Sequence, residues 1–237
     1  MEGKIDLIII GKFETVDYSG YSNLPIERVE IFQNLVQLRM IYLNNGFRSF
    51  LDIFNHIKFG KYYSEADFSD RRRMFNIWNL PSLNPVLAGT PLINHGLNCK
   101  IINNLDSEED LLVKWAQQME TPIIAISTTF MLSWNIIGKV IARIREKVSN
   151  AKLIVGGAFI NDQMETKGVQ SLEKPMRKYA ISYSVYSYNS EKDLCELLQK
   201  IKANSQETVN NLAYFDEKDG FSFTNKVWNS PYIQKED

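Results

Sequence analysis

Histidine and cysteine are scarce in this chain, and the common phosphate-binding loops are missing. Its two histidines, His56 and His95, are isolated, and no Cys/His cluster has the spacing of a zinc site. The two cysteines, Cys99 and Cys195, make no disulfide framework and read as buried thiols in a reducing cytosol. No G-x-G-x-x-G follows the first apolar run and no G-x-x-x-x-G-K-[ST] is present, which disfavours nucleotide-phosphate binding of those kinds. No Ser or Cys lies in a nucleophile elbow, and no pair of carboxylates stands out as acid and base. A net charge of -1 removes the electrostatic argument for nucleic acid or an anionic membrane. No apolar run approaches the ~18 residues of a membrane-spanning helix. The apolar run after Met1-Glu2-Gly3-Lys4 is broken by Gly11, too short for a signal peptide. These absences point to a soluble, cytoplasmic protein that binds something without an obvious catalytic apparatus.

What is present is a regular alternation of apolar runs and amphipathic segments. With 237 residues, 44% of them hydrophobic, the chain can bury a sizeable core. Ile5 to Ile10, Leu97 to Asn103, Ile123 to Ser127 and Lys152 to Val155 read as buried strands, and Tyr179 to Tyr186 as a less regular fifth. Helices are expected over Asn84 to Asn94, after Asp106, over Trp134 to Val148 and over Ser190 to Ala203, with a short helix or loop over Asn161 to Lys174. Residues 12 to 80 are aromatic and less regular. Helical spacing runs from Leu24 to Asn44, a second short helix is expected over Phe47 to Lys58, and Arg71-Arg72-Arg73 reads as a solvated face. Leu212 to Phe215, Asp219-Gly220 and Phe221 to Thr224 form a β-hairpin signal. Alternating strands and helices imply an α/β domain with a parallel sheet.

Two turns carry the functional argument. Ser127-Thr128-Thr129 closes one buried strand and Gly156-Gly157 the next. In doubly wound sheets ligands sit at the carboxyl ends of the strands. Adjacent glycines let main chain approach a ligand, and three hydroxyls can hydrogen-bond a polar edge. The same residues also read as a tight strand-to-helix turn and as capping groups for the helix that begins at Trp134.

A family resemblance rests on five stretches in order. They are Asn84-Pro-Val-Leu-Ala-Gly-Thr-Pro-Leu-Ile-Asn-His-Gly96, Cys99-Lys-Ile-Ile-Asn-Asn-Leu-Asp106, Ile124-Ala-Ile-Ser-Thr-Thr-Phe130, Ile141-Ala-Arg-Ile-Arg145 and Ala151-Lys-Leu-Ile-Val-Gly-Gly-Ala158. Together they resemble the cobalamin-binding module at the front of cobalamin-dependent radical SAM enzymes. Tyr188-Asn-Ser-Glu-Lys-Asp-Leu-Cys-Glu-Leu-Leu198 is similar to that module's last helix, and Asp219-Gly220 resembles its linking hairpin. The aromatic segment before Asn84 looks most like the branch related to phosphinate P-methyltransferases. The resemblance spans roughly residues 5 to 225.

That resemblance implies a flavodoxin-like (Rossmann-like) doubly wound parallel sheet of about five strands with flanking helices. It would carry an aromatic helical insertion and a C-terminal β-hairpin. Residues 1–205 would be the cobalamin-binding-like domain, with 12–80 inserted in it, and 206–237 a hairpin or linker tail. The cobalamin tail would thread between the first, third and fourth strand ends. By this carry-over, the cofactor-binding residues are Gly11, Lys12, Ser127, Thr128, Thr129, Gly156, Gly157, Ala158, Ser187 and Asn189, with no catalytic residue and no protein metal ligand. The chain departs from the family in three places. Ser187-Tyr188-Asn189 stands where a glycine turn is usual. Gly11-Lys12-Phe13-Glu14 stands where many cobalamin carriers place a cobalt-ligating histidine. No Cys-x-x-x-Cys-x-x-Cys is present, so no iron–sulfur cluster is expected in this chain. The expected function is therefore a cobalamin-binding module of, or related to, a radical SAM methyltransferase, with a barrel encoded downstream or in trans as partner. The alternatives are a degenerate relative acting as an interaction or regulatory domain, with bulky Phe130, Phe159 and Tyr188 near the crevice, and a small α/β enzyme with an unrecognised site.

Overall fold

The computed structural model of the chain describes residues 4–12, 41–71, 73–75, 83–129, 131, 133–187, 190–205, 208–216 and 220–227. Residues 1–15 and 82–237 form one compact unit and residues 16–81 another. Each is considered by itself. None of the helices among the described residues is long and apolar enough to cross a membrane.

The larger unit is α/β. Its strands are β1 (Leu7–Lys12), β4 (Cys99–Asn104), β5 (Ile123–Ser127), β6 (Lys152–Gly156), β7 (Tyr183–Val185), β8 (Leu212–Asp216) and β9 (Gly220–Phe223). They form one seven-stranded sheet in the order β4-β1-β5-β6-β7-β8-β9. The first five in that order run parallel, and the β8–β9 hairpin extends the sheet antiparallel to β7. Chain order along the parallel part reverses at the β1–β5 junction, the switch point where doubly wound sheets open a crevice.

Period-two alternation sends successive side chains of these strands to opposite faces. Ile8, Ile10, Ile124, Ile126, Leu153 and Val155 belong to one core. Against them pack α4 (Leu105–Ala116), α5 (Trp134–Lys147), α6 (Ala158–Lys167) and α7 (Glu173–Lys178) through Leu105, Leu112, Ile137, Val140, Ile141, Ile144, Ile160 and Met176. Leu7, Ile9, Ala125, Ile154 and Val185 belong to the second core. That core is covered by α3 (Leu83–Asn94) and α8 (Ser190–Ala203) through Leu92, Leu194, Leu197 and Leu198. Strands buried on both faces explain the continuous apolar runs.

The helices start where the chemistry allows. Asn104 accepts from the N–H of Asp106 to cap α4, and Ser133 accepts from the N–H of Ile136 to cap α5. Arg143 on α5 pairs with Asp106 and Glu109 on α4, and Lys147 lies 3.0 Å from Glu109. His95 ends α3 with its Nδ1 2.8 Å from the Pro91 carbonyl. Cys195 is buried and Cys99, expected to be buried, is half-buried; desolvation pushes the Cys99 thiol up to about 12 and also raises that of Cys195, which disfavours the thiolate in both.

Three sequence expectations are revised. The fifth strand is only Tyr183–Val185, because α7 occupies the chain to Lys178 and Tyr179 packs over Gly138. The stretch from Asn161 to Lys174 is not one short element: α6, a 3-10 turn (Val169–Leu172) and the start of α7 divide it. In the smaller unit, Ile41–Leu43 is strand β2 and not the end of a helix; it pairs with β3 (Gly46–Arg48) across Asn44 and Asn45, whose positive φ values of 50° and 60° suit a tight hairpin. The rest of that expected helix, up to residue 40, lies outside the described residues. Also in this unit, α1 (Phe50–Phe59) is held by a capping box between Ser49 and Asp52, and α2 (Phe68–Arg71) follows. Burial pushes the Asp52 carboxyl up, but N–H bonds from Ser64 and Ser49 outweigh it and hold the group below its usual range.

Candidate functional site

The carboxyl ends of β5, β6 and β7 border a cavity of about 240 Å³. Its floor is the second core: Ile9, Ala125, Ile154 and Val185. Pro85, Leu87 and Ala88 of α3 and Glu191 and Leu194 of α8 line its sides. Its polar rim is Ser127, Thr129, Gly156, Gly157, Ala158, Asn161, Ser187 and Ser190. Ala125 is flanked on its strand by two isoleucines, and the small side chain helps to leave this space open.

The two turns are wired to each other. The Thr128 N–H donates to the Gly156 carbonyl at 2.7 Å, and the Thr128 hydroxyl donates to the same oxygen at 2.9 Å. Thr128 is fully buried and serves as a staple between strand ends, away from the cavity lining. Ser127 and Thr129 line the cavity, with hydroxyl oxygens 3.3 Å apart. Neither caps α5, since Ser133 does so.

Gly157 adopts φ 114° and ψ -169°, a conformation open to glycine alone. A Cβ there would lie 3.1 Å from the Thr128 nitrogen and 3.2 Å from the hydroxyl oxygens of Thr128 and Thr129. Any side chain at this position would therefore fill the rim where the turns meet. Gly157 also opens α6 without a side-chain cap, so the first-turn N–H groups of that helix begin at the cavity edge with a favourable dipole for an acceptor. Gly156 is constrained differently: a Cβ would lie 3.3 Å from the Val185 carbonyl of the neighbouring strand.

Ser187 is tied down. Its hydroxyl donates to buried Asp193 at 2.6 Å, and its carbonyl accepts from the Asn161 amide nitrogen at 2.9 Å. Asp193 also accepts from Asn211 at 2.9 Å, which joins the β7 end, α8 and the approach to β8. Asn161 is 3% exposed, and among the described residues its amide oxygen Oδ1 has no partner. A buried acceptor left unpaired is costly. Among the described lining residues there is one carboxylate, Glu191, and no lysine or arginine.

The other expected site residues fall as follows. Gly11 and Lys12 end β1 at the same side of the sheet, Lys12 in register with Asn104, and neither lines the cavity. Ala158 lines it as the first residue of α6. Asn189, Phe130 and Tyr188 lie outside the described residues. Phe159 turns towards Trp134, edge to face at 5.5 Å, and packs against the first core. Asn161, Glu191 and the α3 residues were missed by sequence reasoning. Asn161 looks like any polar position of a helix; its one signal is its place one turn after Gly157, whose carbonyl its N–H bonds at 3.1 Å.

Solved structures similar to this chain include three cobalamin or radical S-adenosylmethionine enzyme structures. Two are of a radical S-adenosylmethionine methyltransferase, TsrM, from Kitasatospora setae. One has tryptophan substrate and a SAM analogue bound (16% identity, TM-score 0.47, 62% of this chain and 27% of that one). The other has cobalamin and a [4Fe-4S] cluster bound (16% identity, TM-score 0.46, 65% of this chain and 28% of that one). The third is the cobalamin-dependent S-adenosylmethionine radical enzyme OxsB with aqua-cobalamin bound (12% identity, TM-score 0.42, 95% of this chain and 23% of that one). This chain thus spans about a quarter of the length of each. No protein-family model and no curated protein matches the sequence. Among the described residues no group of His, Cys, Asp and Glu side chains could hold a metal ion.

Proposed function

We propose that this chain is a cobalamin-binding module, related to or part of a radical SAM methyltransferase. Its parallel strand order, second-first-third-fourth-fifth in chain sequence, is that of a flavodoxin-like sheet. The observation that carries the reading is the Gly157 turn. A glycine-only backbone, packed on the hydroxyl turn of the next strand, leaves a cradle that a single Cβ would fill. The cavity beside it has room for roughly eight water molecules. That suits the heteroaromatic base of a nucleotide tail and not a corrin ring, which would lie outside, over the strand ends. The lining fits a flat group without negative charge: an apolar floor, the hydroxyl residues Ser127, Thr129, Ser187 and Ser190, one carboxylate and no cation among the described residues.

Bound cobalamin would supply the methyl-transfer chemistry; the protein's part is to bind and orient it. Ser127, Thr129 and the first-turn N–H groups of α6 would meet the polar edge of the tail, while Ile9, Ala125 and Ile154 would face its base. Cobalt would have no histidine from this unit. Its one histidine, His95, closes α3 at the end remote from Pro85, roughly 10 Å along the helix from Ala88, the last α3 residue to line the cavity. Incubating the purified chain with hydroxocobalamin, desalting it and recording the visible spectrum tests the proposal. A corrinoid spectrum should co-elute with the protein and disappear in Gly157→Leu. A protein fraction free of corrinoid sinks the cobalamin reading. A retained spectrum unaltered by Gly157→Leu sinks the site.

A further inference from the structure

Asp193 is a carboxylate buried beside the cavity without lining it. It is 2% exposed and sits in the first turn of α8, between Glu191 and Leu194, which do line the cavity. One of its oxygens, Oδ2, accepts both from the Ser187 hydroxyl at 2.6 Å and from the Asn211 side-chain amide at 2.9 Å. Ser187 belongs to the cavity rim, where Asn161 of α6 holds its carbonyl. Asn211 is fully buried just before β8 and carries the connection further. Its amide oxygen accepts from the Val227 N–H at 2.7 Å, and its own N–H donates to the Asn225 carbonyl at 3.2 Å. Nearby, the buried Tyr186 hydroxyl donates to the Thr224 carbonyl. A line of hydrogen bonds thus runs from the cavity rim through Asp193 and Asn211 to residues 224–227, the segment that leaves the β9 hairpin.

Resting on the cobalamin reading, we propose that Asp193 is a positioning residue that couples occupancy of the cavity to the ordering of residues 224–227. A ligand between α6 and α8 braces the first turn of α8 against the rim. Asp193 lies in that turn and passes the constraint to Asn211, which holds the hairpin exit. A buried carboxylate is costly unless its donors stay in place, so the groups joined to Asp193 move together. The coupling is reciprocal: an ordered hairpin exit also prepares the rim for the ligand.

Amide-resolved hydrogen exchange of the full chain, with and without saturating hydroxocobalamin, is the test, and the visible spectrum reports the bound corrinoid. The amides of Thr224 and Val227 should exchange at least about fivefold more slowly in the complex, relative to the change at Ser222. Ser222 is in the same hairpin but pairs with Tyr214, away from the relay, so it corrects for general stabilisation by the ligand. Asn211→Gly removes the side-chain amide and suits the local φ of 56°. In that variant, with corrinoid bound, the extra slowing at Thr224 should vanish. Asp193→Ala should lose it too, and Asp193→Asn should keep most of it, because an amide oxygen in the place of Oδ2 can accept both bonds. Bound corrinoid without extra slowing in wild type overturns the coupling and leaves the cobalamin reading intact; this comparison needs no variant and stands even where one fails to fold. Extra slowing that survives Asn211→Gly overturns the relay. Equal loss in Asp193→Ala and Asp193→Asn overturns the positioning role of Asp193. No bound corrinoid in wild type overturns the cobalamin reading, and this inference with it.

Discussion

On one face of the sheet, Ile8, Ile10, Ile124, Leu153 and Val155 meet four helices and close the core along the strands. On the other, Leu7, Ile9, Ala125, Ile154 and Val185 meet two helices, and about 240 Å³ stays open at the strand ends. The same strands supply both faces, so the difference lies in alternate residues and in what covers them. Ala125 replaces a branched side chain where β5 nears its end, and glycine forms the adjoining wall. Around the opening lie three buried polar groups, Asn161, Ser187 and Asp193. One face is closed along the strands and the other leaves a cavity at the strand ends.

The largest effect should come from breaking the closed face. Ile124→Ala removes a fully buried side chain and should cost about 2–5 kcal/mol in a urea or thermal melt. Ala125→Val, one residue along and on the open face, should change stability by less than about 1 kcal/mol. If the two cost the same, the faces do not differ as described. Next come the glycines. Gly157→Ala should cost about 1–3 kcal/mol, since it forces a glycine-only conformation and crowds Thr128. Gly156→Ala, with no positive φ to strain, should cost less; a reversed order in chemical denaturation would remove the special status of Gly157.

The smallest effect lies on the outer side of the closed face. Hydrogen bonds from Lys147 and then Arg143 hold the Glu109 carboxyl below its ordinary value. Its contribution is therefore present above the unfolded carboxylate range of about 4.3 and is lost as pH falls through the lower folded value. Glu109→Gln should cost under about 1 kcal/mol at neutral pH, less at low pH and less in high salt. A deficit that grows on acidification would contradict the sign of this shift.

Much of the closed face was legible in the sequence. Continuous apolar runs marked β1, β4, β5 and β6, and helical spacing marked α5 and α8 within a residue or two. The pairing of the β8–β9 hairpin with β7 was not, because nothing in local periodicity records which distant strand a hairpin joins. The shortened β7 was hidden for a similar reason: Tyr179 is β-prone alone, and its place depends on Gly138, where a Cβ would lie 2.4 Å from the ring. At the site, the glycine and hydroxyl turns could be read from residue type. That Thr128 staples while Ser127 and Thr129 line the cavity could not, since it depends on the direction of each side chain at the strand end. Asn161 was illegible because burial, and not residue type, makes it unusual.

Titrating the wild-type chain and Ala125→Val with hydroxocobalamin tests the central claim most directly, because the added methyl groups enter the open face while the fold is kept. Wild type should bind, and Ala125→Val should bind at least about tenfold more weakly with an unchanged melting temperature. Equal affinity in the two proteins, with the cobalamin bound, would place the ligand elsewhere and contradict the account.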